Sequence, residues 1–74
     1  MKNKGEIHMD NFKRLEELVL EEAVRSSEPV KIYLVNGYQA KAVIQDFDAE
    51  SILAKVNGHN WLIYRHAVSA IELG

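Results

Sequence analysis

The amino-acid sequence predicts a mainly β fold with an N-terminal α-helix: a five-stranded, strongly bent antiparallel barrel that associates with copies of itself. Three observations predict it. Apolar residues recur every three or four positions before Pro29 and every second position after it, Asn36-Gly37 and Asn57-Gly58 punctuate the second part, and the chain has only 74 residues. The change of period marks a helix giving way to strands, an Asn-Gly pair between alternating apolar runs signals a hairpin, and a domain this small buries only roughly 60% of its unfolded surface.

Residues 1–9 mix charge, Asn and Gly without a pattern and are read as a mobile tail, leaving 10–74 as one domain. Residues 10–27 read as an amphipathic helix. Phe12, Leu15, Val19 and Ala23 form the stripe, Leu18 and Leu20 flank it, and Glu16, Glu17, Glu21 and Glu22 are placed to face water or a neighbour. Asp10 is the expected N-cap, and Ser26-Ser27-Glu28-Pro29 ends the helix because proline cannot continue the ladder. Val30, Ile32 and Leu34 then alternate with Lys31, Tyr33 and Val35, the two-residue period of a strand. A type I′ turn at Asn36-Gly37 leads to a second strand over Tyr38–Phe47, long enough that it must bend in a small barrel. Asp48-Ala49-Glu50 breaks the pattern, Ser51–Val56 is the third strand, Asn57-Gly58 a second hairpin, Trp61–Tyr64 the fourth strand and, after Arg65-His66-Ala67, Val68–Ile71 the fifth.

Composition narrows the function classes. With no cysteine, and with His8, His59 and His66 outside any ligand-like spacing, neither a disulfide nor a metal staples the fold, which leaves self-association to supply the missing burial. No apolar run approaches the roughly 18 residues that span a bilayer, so a soluble, cytoplasmic protein without membrane contact is expected. A formal charge of −2 argues against a nonspecific binder that relies on a strongly basic surface. Any nucleic-acid contact must be local. Catalysis is not expected, since there is no cysteine nucleophile, no serine elbow, no phosphate-cradling glycine loop and no carboxylate pair of defined geometry. Asp46, Asp48 and Glu50 alternate near one turn and are read as ending a strand, not as a cation site. No cofactor is expected.

Val30-Lys31-Ile32-Tyr33-Leu34-Val35-Asn36-Gly37, Phe47-Asp48 and Leu62-Ile63-Tyr64-Arg65-His66-Ala67-Val68-Ser69 resemble the bacterial Hfq proteins, RNA chaperones with the Sm-like barrel. The resemblance covers about residues 29–71, with Arg65 where the family has lysine, and the Asn57-Gly58 turn is similar to Gram-positive forms. It implies a homohexameric ring, a distal face for adenine-rich RNA, a proximal pore for uridine-rich RNA, and small regulatory RNAs and mRNAs as partners.

On the distal face the resemblance points to Tyr33, Asn36, Gly37, Tyr38, Gln39 and Lys41, with Asn60 where a glutamine is frequent. The chemistry is coherent, because aromatic rings stack single-stranded bases and amides read their edges. At the pore it points to Tyr64, Arg65 and His66. There the sequence departs from the family: Glu50 replaces a stacking aromatic, Ala49 and Glu16 replace glutamines, and the basic rim cluster is reduced to Arg25. A carboxylate repeated in every subunit repels phosphate, so weakened uridine binding is expected. Ala40 stands for a larger apolar residue and Ala42 for a glycine that eases the second strand's bend. Trp61 reads as structural or interfacial, and His59 as a solvated turn residue. The alternative function is an Sm-like ring with little RNA affinity serving as a protein scaffold, its acidic helix face docking a basic partner.

Overall fold

In the described residues the chain alternates direction at every break, giving the order α1 (Lys4–Ser26), β1 (Val30–Leu34), β2 (Gln39–Phe47), β3 (Ser51–Val56), β4 (His59–Tyr64), a 3₁₀ turn at Arg65–Ala67, and β5 (Val68–Glu72). The computed structural model describes the backbone of residues 4–73 and the side chains of residues 15–73. The five strands form one antiparallel sheet in the order β4-β3-β2-β1-β5, so β4 and β5 are its edges. Among the described residues their outer N–H and C=O groups have no partner strand, a state that proteins with long flat edges avoid by covering or pairing them.

The helix begins at Lys4, so six residues read as tail continue it and Asp10 lies inside it rather than at its N-cap. Phe12 and His8 lie outside the residues whose side chains are described. The helix buries Leu20 and Ala23, with Val19 and Val24 partly covered, whereas Leu15 is 59% exposed. Among the described residues the buried line therefore keeps Ala23 of the stripe predicted from spacing and adds Leu20, which was read as flanking it, while Leu15 stays open. Termination comes from Ser27, whose φ of +56° is the left-handed C′ conformation usually given to glycine. Its N–H donates to the Ala23 carbonyl at 3.2 Å, and the Glu28 N–H donates to Ser26 Oγ at 3.2 Å.

The core follows the strand period. Ile32, Ile44 and Ile52 are fully buried, joined by Val30, Ala42, Ala54, Val56 and Ile63. Removing each isoleucine from water is worth roughly 1.5–3 kcal/mol. The bend in nine-residue β2 is made where the register against β3 shifts between Ile44 and Asp46, a bulge at Gln45. A bulge does here what a glycine at position 42 does by freedom of φ, and Ala42 packs 1% exposed in the core.

The two Asn-Gly turns differ. Asn57 (φ +52°) and Gly58 (φ +80°) both take positive φ between the paired Val56 and His59, as a type I′ turn demands. At the first turn only Gly37 does, with φ +94°, and its N–H donates to the Leu34 carbonyl at 2.9 Å. This corrects the type I′ expectation for Asn36-Gly37. Asn36 keeps negative φ because its Oδ1 accepts the Tyr38 N–H at 2.9 Å, closing an Asx turn instead.

Candidate nucleic-acid interface

Two clusters hold the polar and aromatic residues singled out above. The first surrounds the β1–β2 turn. With Asn36 Oδ1 on the Tyr38 N–H and the Tyr38 carbonyl accepting the Leu34 N–H at 2.8 Å, the backbone of Tyr38 is held at both ends. Its ring, 46% exposed, stacks on Trp61 with centroids 5.8 Å apart and planes 8° from parallel. Tyr33 has other company. The β1–β2 register pairs Tyr33 with Gln39 and Lys31 with Lys41, so these four side chains share one face of the ribbon. Lys31 Nζ stands 5.9 Å from the Tyr33 ring centroid, and the Tyr33 hydroxyl donates to Glu72 Oε1 at 2.6 Å. That hydrogen bond, then burial and the carboxylate's charge, hold the Tyr33 phenol above its ordinary pKa.

Asn60 is exposed and pairs with Lys55 on β3. As the neighbour of Trp61 along β4 it faces the other side of the strand, so the residue that reaches Tyr38 from β4 is Trp61. The sequence points to Trp61 as structural or interfacial, not as a site residue, and does not single out Glu72. The signal for Trp61 lay in period 2: Trp61 and Ile63 share a face, and that face continues to the barrel end where Tyr38 sits. Glu72 had no local signal, because its position beside Tyr33 depends on β5 pairing with β1.

The second cluster is the β4–β5 junction. Tyr64 is 54% exposed and stacks on the exposed His66, centroids 5.9 Å apart and planes 21° from parallel. Arg65 turns inward, its side chain only 13% exposed. Its Nη1 donates to the Asp48 carbonyl at 2.7 Å, its Nη2 to Glu16 Oε1 at 2.5 Å, and its guanidinium lies 5.9 Å from the Phe47 ring centroid. The Arg65 N–H also donates to the Glu50 carbonyl at 2.8 Å. Arg65 thereby ties α1 to the turn between β2 and β3.

That turn is built by Asp48, whose Oδ1 accepts the N–H groups of Glu50 at 2.9 Å and Ser51 at 2.8 Å. These bonds, Glu50's first, hold its carboxyl below the ordinary aspartate pKa. Ala49 and Glu50 are exposed at the tip. Arg25 is exposed and ion-paired with Glu22 on its own helix. Among the described residues no group of acidic or imidazole side chains could hold a metal ion, and no helix is long and apolar enough to cross a membrane.

A helix followed by five strands in this order, strongly bent and with exposed aromatics beside its turns, defines a protein of the Sm-like class. The family model for the Hfq protein matches residues 15–73. The chain is 42% identical over 57 residues to the RNA-binding protein Hfq of Moorella thermoacetica, covering 77% of this chain and 68% of that one. It is 41% identical over 64 residues to that of Natranaerobius thermophilus, covering 86% and 76%. A crystal structure of the pleiotropic translational regulator Hfq superposes with a TM-score of 0.77 at 29% identity, over 80% of this chain and 98% of the other. The chain belongs to the Hfq family, whose members are non-enzymatic.

Proposed function

We propose that this protein is an RNA-binding post-transcriptional regulator, an RNA chaperone of the Hfq type, that takes single-stranded adenine-rich RNA on the face around the β1–β2 turn. The observation that carries the reading is the exposed Tyr38 ring, held by its backbone and by a stacked neighbour at the edge of a face that also presents Tyr33, Gln39 and Lys41. Ordered exposed rings are stacking platforms worth about 1–3 kcal/mol per base, and two lysines beside them supply phosphate contacts at low net charge. Asn36 and Gly37 contribute by shaping the turn, since the Asn36 carboxamide oxygen is engaged with the Tyr38 N–H.

Uridine binding at Tyr64, Arg65 and His66 is weakened in this proposal. Arg65 is occupied by Glu16 and the Asp48 carbonyl, and Glu50 offers a carboxylate where a ring would stack. The partners proposed are small regulatory RNAs and mRNAs, with the ring, a homohexamer, closed by β4 of one copy pairing with β5 of the next. Free edges on both strands, and Leu62 at 58% and Tyr64 at 54% exposure on β4, support self-association. The second reading, a protein scaffold with little RNA affinity, draws on exposed Glu16, Glu17, Glu21 and Glu22 along one helix, a face suited to a basic partner.

The test is binding of the purified protein to labelled oligoadenylate and oligouridylate at two salt concentrations, with the mass of the complexes measured alongside. Adenine-selective, salt-sensitive binding by a ring is expected. An intact ring that binds neither RNA sinks the regulator reading and favours the scaffold.

A further inference from the structure

We propose that Trp61 is a base-contacting residue, and that Trp61 and Tyr38 together form one two-ring platform that selects a purine base of single-stranded RNA; this rests on the RNA-binding reading above. The two rings come from elements separated in the sheet. Tyr38 precedes β2, and Trp61 lies on β4, beyond β3. Their near-parallel arrangement, 8° between planes at 5.8 Å between centroids, is an offset stack and leaves part of each ring uncovered.

The spacing decides where a base can go. A base inserted between two rings needs the planes roughly 7 Å apart, twice the contact distance of about 3.5 Å, which exceeds the 5.8 Å between centroids. The base therefore stacks on the uncovered part of one ring of the offset pair, with its edge against the other. Two offset parallel rings present a wider stepped apolar surface than one ring, which a fused purine covers more fully than a single-ring pyrimidine, and the dispersion and burial gained grow with the area in contact.

The platform is already ordered before RNA arrives. The Tyr38 backbone is fixed by the Leu34 N–H and by Asn36 Oδ1, the Trp61 backbone by its pairing with Ala54 inside the β3–β4 ladder, and each ring packs on the other. Two ordered aromatics lose little side-chain freedom on binding, which favours affinity. Ordinary barrel packing accounts for the buried part of Trp61 but gives no role to a partner ring that remains 46% exposed.

Trp61 is the only tryptophan in the chain, so its emission reports on this spot alone. Titrating the full-length protein with oligoadenylate, while following labelled-RNA anisotropy, should quench Trp61 emission in step with binding. Oligouridylate should quench it less at equal occupancy. Trp61→Leu, checked for mass and circular dichroism, should lower oligoadenylate affinity about tenfold with an unchanged salt slope, because no phosphate contact is removed. Trp61→Phe should recover most of that loss. Anisotropy showing bound oligoadenylate while Trp61 emission stays constant overturns the platform and leaves RNA binding standing, and it needs no variant to fold. If Trp61→Leu folds and binds as wild type does, the platform is likewise overturned. Absence of anisotropy change with any RNA overturns both readings.

Discussion

The β1–β2 turn and the β4–β5 junction carry similar residue types, two stacked rings with polar neighbours, yet they use them in opposite ways. At the turn, the polar group is spent on the backbone and the ring is left open: Asn36 holds the Tyr38 N–H, and Tyr38 stacks outward on Trp61. At the junction the cation is spent on the fold: Arg65 binds the Asp48 carbonyl and Glu16 while Tyr64 and His66 stack on each other. The two regions touch, since the Val35 N–H donates to the Ala67 carbonyl at 2.8 Å.

The lesson is that a motif's chemistry depends on prior commitments of its side chains. A hydrogen bond from a charged group is worth roughly 1.5–3 kcal/mol, more than the 0–1 kcal/mol of a surface ion pair, so Arg65 has little to gain by leaving Asp48 for a solvent-exposed phosphate.

Four experiments test this contrast. The largest effect is expected from Tyr38→Ala, which should lower oligoadenylate affinity at least about tenfold with the assembly mass unchanged. Equal binding by the variant removes the turn from the site. Next, Glu50→Phe replaces the carboxylate at the tip of the β2–β3 turn, beside the junction, with a ring and should raise oligouridylate affinity by up to about tenfold. An unchanged affinity would place the block at the Arg65–Glu16 pair.

A smaller effect is expected from Arg65→Met, which keeps the length of the side chain and removes the tie between α1 and the β2–β3 turn. A loss of about 1–2 kcal/mol corresponds to a Tm drop on the order of 4–8 °C per kcal/mol for a domain of this size. A thermal scan showing no drop would mean the clamp contributes nothing to the fold. The smallest concerns Asp48. Its folded pKa is depressed by the Glu50 and Ser51 N–H groups, so its contribution is present above the unfolded value and lost as pH falls through the folded one. Asp48→Asn, which can still accept both bonds, should flatten the acid limb of a stability-against-pH curve below about pH 4. An acid limb as steep as wild type's would assign it to other carboxylates.

Much of the fold was legible in local chemistry. The shift of period at Pro29, the alternation through Ile32, Ile44 and Ile52, and Asn57-Gly58 each act over a few residues, and each appears where its neighbours demand it. Helix limits were less legible: nothing near Asp10 stops a helix from running back to Lys4, and which residue of the apolar stripe is buried, Leu20 rather than Leu15, depends on how the helix lies on the barrel. At Asn36-Gly37 the dipeptide was right and the turn wrong, since an asparagine side chain can satisfy a backbone N–H without adopting positive φ.

The site residues divide in the same way. The helix-then-strands order, the apolar faces, the hairpin positions and the family can all be read from the residues alone, because they follow from propensity, period and short motifs. The packing of the strands and helix brings Trp61 onto Tyr38, Glu72 to Tyr33 and Arg65 to Glu16, forty-nine residues away. Those contacts depend on strand order and register, which place together side chains that no local period relates.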